Sequence, residues 1–269
     1  MEIIGYAGAL VMGLCLGLIG SGGAILTVPI LVYLFGVEPL LATTYSLFIV
    51  GLTSLVGATV RAGAGHIHWP LTLTFGIPSV VSVFLTRTYL LPLIPNPILQ
   101  AGTFILSRSS FLLALFAVLM VFSSFSMIKN PPNQFPRNSN PSAGGYWHVI
   151  NMLLKGFLVG GITGLLGAGG GFLIIPALVL IARLPMQQAV GTSLVIIATN
   201  SLTGFWRDYE FHSRINWPFL VHFSTLAVIG ILLGSSLARK ISGDKLKPIF
   251  GYFVLVMGFY ILFKELFLS

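Results

Sequence analysis

The feature that most limits how this chain can fold is its division into ten apolar runs, five in each half, with short polar stretches between them. Most of the runs are near the roughly 20 residues that a helix needs to cross a bilayer. Only 7% of all residues are charged, against about 25% in a soluble domain. We therefore expect an all-α polytopic membrane protein. The runs lie at about residues 3–19, 24–36, 41–60, 70–91, 99–128, 149–167, 171–183, 188–206, 217–238 and 247–266.

The formal net charge of +8 does not indicate a nucleic-acid partner, because the 14 Lys and Arg residues stand singly between the apolar runs. The one cysteine, Cys15, lies inside an apolar run, so the sequence offers neither a disulfide framework nor a thiolate cluster for a metal. The sequence also contains none of the motifs HExxH, GxSxG or Walker, which are typical of zinc peptidases, serine hydrolases and nucleotide-binding proteins. We predict that the protein is not an enzyme and uses no cofactor. The six acidic residues lie mostly between the runs, and we expect none of them to be buried.

The two halves of the chain are copies of one unit. Residues 17–57 match residues 164–204 without gaps at a constant shift of 147, and 16 of the 41 positions are identical. After one added residue the match resumes at Trp69 and Trp217. The matched punctuating residues are Gly17, Gly20, Gly22, Gly23, Pro29 and Gly57 in the first copy and Gly164, Gly167, Gly169, Gly170, Pro176 and Gly204 in the second.

A polar stretch with four prolines, residues 129–148, separates the two copies. This composition, without apolar periodicity, is typical of a flexible aqueous linker. We assign residues 1–128 to a first transmembrane repeat, residues 129–148 to a cytoplasmic linker and residues 149–269 to a second transmembrane repeat.

The second run of each copy is unusually short. It has about thirteen residues, roughly 20 Å as a helix, which is less than the ~30 Å hydrocarbon core. The segments 3–36 and 149–183 are then each either a re-entrant hairpin or a full helix followed by a short tilted one, broken at the glycine cluster. Both options return the chain to its starting side, so three further crossings invert the second copy. One crossing per segment would instead give a parallel repeat.

Charge placement favours the inverted repeat, because cytoplasmic loops collect Lys and Arg. The inverted arrangement puts nine basic residues on one side and four on the other, whereas the parallel one splits them seven against six. We predict a cytoplasmic linker and two periplasmic termini. The nine are Arg61, Lys129, Arg137, Lys155, Arg183, Arg239, Lys240, Lys245 and Lys247, and the four are Arg87, Arg207, Arg214 and Lys264. Arg108 lies inside its run and either faces a cavity or starts a helix.

The paired glycine clusters predict a binding site for an anion. Backbone that leaves the helix at membrane depth must be buried in protein or line a watery cavity. Paired broken helices are common in secondary transporters, where helix N-termini face an anion near the midplane. The alternative is that these glycines only allow helices to pack closely. The candidate residues in the clusters are Gly20, Ser21, Gly22, Gly23, Gly167, Ala168, Gly169, Gly170 and Gly171.

The third run of each copy is rich in hydroxyl and amide side chains that could donate to a substrate. Such groups in membrane helices often bond only to their own helix or to a neighbour. Asn200 and the pair Thr192 and Ser193 are the strongest candidates, because an amide is costly to bury without a partner. The full set is Thr43, Thr44, Ser46, Thr192, Ser193 and Asn200.

The glycine–proline element GLIGSGG with Pro29, its copy GLLGAGGG with Pro176, and the strings AVGTSL at 189–194 and NSLTG at 200–204 resemble the sulfite exporter TauE/SafE family of membrane transporters. The resemblance covers both halves. It implies transport of sulfur-containing anions such as sulfite, thiosulfate or organosulfonates, mostly outward across the bacterial inner membrane. The string ATTYSL at 42–47 departs from the family pattern, which leaves the individual substrate open.

Other functions remain possible from the sequence. An anion channel could use the same backbone amides, and an importer could move the same anions inward. The broken helices argue against a third function, a non-transporting membrane scaffold, because a scaffold would have no need of them. The partners implied are a small anion and the lipid bilayer, with protons as a candidate coupling ion. The oligomeric state, monomer or homodimer, is left open.

Overall fold

The computed structural model describes residues 2–20, 23–95, 97–101, 104–129, 146–167, 171–181, 184–209, 215–238 and 243–267. Within these residues the chain is built almost wholly of helices, as the apolar runs predict. The first copy contains α1 (Glu2–Ile19), α2 (Ala24–Tyr33), α3 (Pro39–Gly63), α4 (Trp69–Leu85), α5 (Leu91–Leu93) and α6 (Arg108–Lys129). The second contains α7 (Tyr146–Leu166), α8 (Gly171–Pro176), α9 (Met186–Tyr209), α10 (Trp217–Leu237) and α11 (Gly243–Phe267).

Two helices continue as single π-helical turns. The segment Thr86–Leu90 joins α4 to α5, and Ala177–Ile181 follows α8 at Pro176. Pro176 has no N–H to donate, so an irregular turn begins where a regular helical bond cannot form. Both π-helical segments lie in helices that pack beside a glycine break, and π turns are often found at functional places.

Five helices of the described chain are long and apolar enough to cross a membrane. Apolar side chains also cover the outer surface of these helices, as a lipid-facing surface requires and a water-facing one does not. On α4 the exposed residues recur at helical spacing and form one stripe. The candidate spans are Pro39–Gly63, Trp69–Leu93, Val149–Leu166, Gln187–Tyr209 and Trp217–Leu237. The exposed stripe of α4 consists of Trp69, Leu73, Ile77, Val81 and Phe84.

Helices α1 and α2 form an antiparallel hairpin. A Cβ on Gly8 would lie 3.2 Å from Ile30, and one on Gly23 would lie 2.7 Å from the Leu16 nitrogen. Gly5, near the start of α1, lies against Phe35, just after the end of α2. Helix α1 has 18 residues, roughly 27 Å, and α2 has 10, so a longer helix is followed by a short one. Gly23 is a packing residue of this hairpin.

The repeat-related helices α3 and α9 pack against each other in opposite directions. Gly204 of α9 contacts Leu47 near the start of α3, and Gly191 lies against Arg61 near its end. Between them, Gly51 contacts Ser201 and its neighbour Leu202. This antiparallel pairing is the geometry that an inverted repeat requires.

Helices of one copy also pack against helices of the other copy. Helix α1 packs beside α10, with Gly13 against Ala227 and Gly230 against Leu10. In the equivalent pair of the other copy, Gly160 of α7 lies against Ser79 of α4. These glycines approach neighbouring backbone more closely than any side chain would permit, which is the packing role of small residues in membrane helices.

The loops that begin α4 and α10 are held in matching ways. His68 Nδ1 caps α4 by accepting from the Leu71 nitrogen at 3.3 Å, while its backbone nitrogen donates to Thr192 Oγ1 at 3.0 Å. At the related place in the second copy, the Asn216 nitrogen donates to Tyr45 Oη at 2.8 Å. Position 45 corresponds to 192 at the shift of 147, so one hydrogen bond occurs twice with different side chains.

The apolar run at 99–128 is not helical throughout. Strands β1 (Leu99–Ala101) and β2 (Phe104–Leu106) form a short antiparallel hairpin, with Gln100 opposite Ile105, before α6 begins. Arg108 is the first residue of α6, which answers the question of its place in the run. Most of the linker at 129–148 lies outside the described residues, and its last three residues belong to α7.

Candidate functional site

A buried ion pair joins the two copies at one end of the helix bundle. Arg87, in the π-helical turn after α4, contacts the carboxylate of Asp208 near the end of α9 through its Nη1. The side chain of Arg87 is 0% exposed and that of Asp208 only 9%. Asp208 also accepts a hydrogen bond from Thr44 Oγ1 at 2.8 Å. The expectation that no acidic residue would be buried is therefore wrong.

The guanidinium of Arg87 reaches the glycine cluster of the second copy. Its Nε donates to the Gly164 carbonyl oxygen at 2.9 Å. Its Nη2 is buried and has no hydrogen-bond partner in the described structure. A Cβ placed on Gly167 would lie 2.5 Å from this Nη2. One strong donor of a buried cation thus points at the break between α7 and α8.

The break itself follows from the conformation of Gly167. Its nitrogen makes the last helical bond of α7, to the Thr163 oxygen at 3.0 Å, and its φ of 65° then ends the helix. Such a left-handed cap favours glycine because a Cβ would meet the carbonyl oxygen. Here a Cβ would also collide with Thr43. The glycine therefore serves both the turn and the close approach of α3.

The related break in the first copy has the same backbone and different side chains around it. Gly20 ends α1 with a bond to the Leu16 oxygen at 2.8 Å and a φ of 94°. Arg61 of α3 donates from Nη2 to the Gly17 oxygen at 3.1 Å. In the second copy Arg87 donates from Nε to the matching Gly164 oxygen. A cavity of about 390 Å³ opens beside it. Its lining residues are Val60, Arg61, Gly63, Ala64, His66 and Ser235.

The repeat relation makes the difference between the two ends explicit. Arg61 corresponds to Asp208 at the shift of 147, and Arg87 corresponds to Ser235 at the shift of 148 that follows the added residue. One end therefore combines an arginine with an aspartate, whereas the other combines an arginine with a serine. The ends share a backbone frame and differ in charge.

Gly167 and Gly20, where the two helix breaks begin, lie at opposite ends of the pair formed by α3 and α9. Gly167 lies against Thr43 near the start of α3, whereas Gly20 lies against Val190 near the start of α9. Because α3 and α9 are antiparallel, these places are at opposite ends of the pair, roughly 27 Å apart along α3 at 1.5 Å per residue. The prediction that backbone groups of both copies face one anion at the midplane depends largely on residues 21, 22 and 168–170, which lie outside the described ranges, and it stays a prediction.

The predicted hydroxyl and amide residues are all buried, but they do different things. Thr43 and Ser193 bond to backbone oxygens of their own helices, at 2.7 Å and 2.9 Å. Asn200 donates from Nδ2 to Ser79 Oγ at 2.7 Å, and its Oδ1 has no partner among the described residues. Ser46 Oγ also has none. Thr192 instead holds the start of α4.

The structure brings together Gly167, Thr43 and Thr44 of the predicted site, and it adds Arg87 and Asp208. The arginine and the aspartate were missed because each lies near the end of an apolar run, where snorkelling to the headgroups is the usual explanation for a charge. A signal was present in the repeat, since the opposite charges at 61 and 208 break its symmetry.

Some predicted residues cannot be placed. Ser21, Gly22, Ala168, Gly169 and Gly170 lie outside the described residues, and Gly171 is described only as the first residue of α8. In the described ranges no group of three or more His, Cys, Asp or Glu is arranged to hold a metal ion. The chemistry of the site is that of a buried cation with hydroxyl neighbours.

Comparison with known proteins agrees with this architecture. The chain matches the family described as sulfite exporter TauE/SafE over residues 5–264. It is 30% identical over 261 residues to a probable membrane transporter protein of Xylella fastidiosa, covering 94% of this chain and 92% of that protein. A probable membrane transporter protein of Methanocaldococcus jannaschii is 25% identical over 272 residues, with 94% of each chain covered.

A further relative, a probable membrane transporter protein of Bacillus subtilis, is 24% identical over 277 residues, covering 96% of this chain and 97% of that protein. No solved structure matches the chain significantly. The family and these relatives are membrane transporters and not enzymes. Together with the five candidate spans, the match over nearly the whole chain shows that this multi-pass membrane protein belongs to the sulfite exporter TauE/SafE family.

Proposed function

We propose that the protein is a secondary transporter that moves small sulfur-containing anions, such as sulfite, thiosulfate or organosulfonates, outward across the inner membrane by alternating access. The observation that carries this proposal is the buried Arg87 Nη2, a donor that has no partner among the described residues and that points at the Gly167 break. A buried donor of this kind is costly unless a ligand completes it. An oxyanion is the ligand that a guanidinium binds best.

The surroundings of Arg87 suit a small anion. Gly167 presents no side chain between the break and Nη2. The hydroxyl of Thr43 lies on the adjoining turn of α3, where it can turn from its present acceptor, the Leu40 oxygen, to an anion oxygen. Tetrahedral oxyanions and sulfonates offer several oxygens and fit such a set of convergent donors. The family match supports sulfur anions within this class.

The two unlike ends favour a transporter over an anion channel. At the Gly167 end the ion pair of Arg87 and Asp208 is buried between helices of both copies. At the Gly20 end a cavity of about 390 Å³ lies beside Arg61. A molecule closed at one end and open at the other is the arrangement that alternating access uses.

Flux into proteoliposomes tests the proposal. Purified protein would be reconstituted, and initial uptake of sulfite, thiosulfate, sulfoacetate and sulfate would be measured against protein-free vesicles. We expect saturable uptake of at least one sulfur anion, and faster uptake when the vesicles contain the same anion unlabelled. Uptake that rises linearly with concentration and shows no exchange would indicate a channel. Failure to move any of these anions would contradict the proposed function.

A further inference from the structure

We propose that Asp208 is a proton-binding site and that the protein moves one proton with each anion. This inference rests on the proposed function and adds the coupling ion to it. The observations are the contact of Arg87 with the Asp208 carboxylate and the burial of both side chains. In addition, Nη2 of the same guanidinium has no hydrogen-bond partner among the described residues.

The argument begins with the charge inside the site. In the empty site the cation of Arg87 and the anion of Asp208 cancel, and a paired buried charge is far less costly than a single one. A second anion beside Arg87 would leave one negative charge uncompensated in a region of low dielectric constant. If the anion carries a single negative charge, as a simple sulfonate does, and Asp208 takes up a proton, Arg87 is again matched by one negative charge, now that of the substrate. The empty and the loaded sites then both carry no net charge.

The step can be written with its proton and its bonds. A proton from water on the loading side binds a carboxylate oxygen of Asp208, and the ionic contact with Arg87 Nη1 is lost. An oxygen of the anion then accepts from Nη1 and Nη2 of Arg87. On the other side the anion leaves, the proton passes from Asp208 to water, and the contact with Nη1 forms again. One anion and one proton have moved in the same direction.

Thr44 supplies a hydrogen-bond partner for both forms of the carboxyl group. Its Oγ1 lies 2.8 Å from Asp208 Oδ2 and 3.4 Å from the Leu40 backbone oxygen, so its single proton can point to either. With Asp208 ionised, the hydroxyl donates to Oδ2. With Asp208 protonated, the acid donates to Thr44 Oγ1, and the hydroxyl turns to Leu40. A hydroxyl at this position stabilises each state in turn.

The other titratable groups around Asp208 come from the elements packed against α9. The neighbours on α9 itself are Arg207, whose Nε donates to Thr88 Oγ1 at 2.8 Å, and Tyr209. On α3 they are Tyr45, which accepts from the Asn216 nitrogen, and the exposed Glu38 that precedes the helix. On α7 the described group is Lys155, nine residues before Gly164. The contact that the structure shows between a charged group and the carboxylate is that of Arg87.

The test counts protons and anions together in proteoliposomes with a clamped membrane potential. The anion must be one that wild-type protein transports and that keeps a single negative charge near neutral pH, such as a simple sulfonate, so that every proton counted is carried by the protein. We expect one proton per anion for the wild type. The variant Asp208→Asn should still exchange labelled for unlabelled anion, at a lowered rate because Arg87 loses its ionic partner, and any net anion flux through it should carry no protons. Glu38→Gln, which removes an exposed carboxylate, should keep the wild-type ratio.

Several results would overturn the inference and leave the transporter itself standing. These are anion flux without protons in the wild type, a full proton count in Asp208→Asn, or loss of exchange in an Asp208→Asn protein that is monodisperse and folded. If that variant does not fold, the proton count of the wild type decides alone. Absence of any anion flux in the wild type would instead refute the proposed function beneath it.

Discussion

Arg87 changes the chemical description of the glycine break, because it adds a side-chain cation to what would otherwise be a site of backbone amides. Its Nε and Nη1 contact Gly164 and Asp208, and its Nη2 has no partner in the part of the chain that the structure describes. The fork of a guanidinium fixes these three directions together, which an ammonium group cannot do. The residue is therefore both a structural tie between the copies and the proposed contact for the anion.

Replacement of Arg87 tests the second of these roles. We expect Arg87→Gln to lower the initial anion flux by at least about tenfold, since a charge-assisted hydrogen bond contributes roughly 1.5–3 kcal/mol. Arg87→Lys should recover only part of it. Arg108→Gln, which removes a half-buried arginine at the start of α6, is the matched control and should transport normally. Equal flux in the Arg87 and Arg108 variants, measured per folded molecule, would exclude Arg87 from the anion site.

Gly167 allows the strain of a turn to be separated from the filling of a site. Gly167 and Gly36 have nearly the same φ, 65° and 66°, but a Cβ on Gly36 would have nothing within 4 Å. Alanine at either position costs about 1 kcal/mol of backbone strain. We expect Gly36→Ala to transport at the wild-type rate and Gly167→Ala to lose most of its flux. If the two variants lose stability equally and keep equal flux per folded molecule, Gly167 is only a turn residue.

At the scale of elements, the matched loop contacts should matter equally in both copies. Thr192→Val and Tyr45→Phe each leave the backbone N–H at a helix start without its acceptor. We expect each to lower the free energy of unfolding by about 1 kcal/mol and the two effects to add, because the contacts lie at opposite ends of α3 and α9. Thermal unfolding in detergent measures this. The control is Thr225→Val, whose hydroxyl bonds within its own exposed helix turn.

A marked fall in anion flux per folded molecule for Thr192→Val alone would contradict that expectation. It would return Thr192 to the binding site that the sequence predicts. Asn200 is different, since its Oδ1 is buried without a partner among the described residues, and it stays a predicted contact for substrate.

The helices themselves could be predicted well from the sequence, because a bilayer admits few ways to satisfy backbone groups. The short α2 and α8 follow from the length of their runs. The hairpin at 99–106 could not be predicted in this way, since alternation over such short strands is lost inside one apolar run. The pairing of Arg87 with Asp208 joins residues 121 apart in sequence, so no local spacing could reveal it.

At the scale of the whole molecule, sidedness is the property that the two copies determine together. The antiparallel pairing of α3 with α9 and the nine-to-four division of basic residues both favour an inverted repeat. We expect a reporter that is active only in the periplasm to be active when fused after Ser269 and silent when inserted near Asn138. The reporter should also be active when it is fused before Met1. Termini on opposite sides would contradict the inverted arrangement.

If the protein is the carrier proposed above, the unlike ends of the bundle also set its resting orientation. In a duplicated fold whose two ends were chemically alike, the inward-facing and outward-facing forms would have nearly the same free energy, and an empty carrier would shuttle freely between them. Here Arg87 contacts Asp208 at one end, whereas at the related place of the other end Arg61 and Ser235 line a cavity. We expect the unloaded carrier to wait with the Gly167 end shut and to turn only when that contact is exchanged for cargo. Such a carrier turns over when it is loaded and leaks little when it is empty.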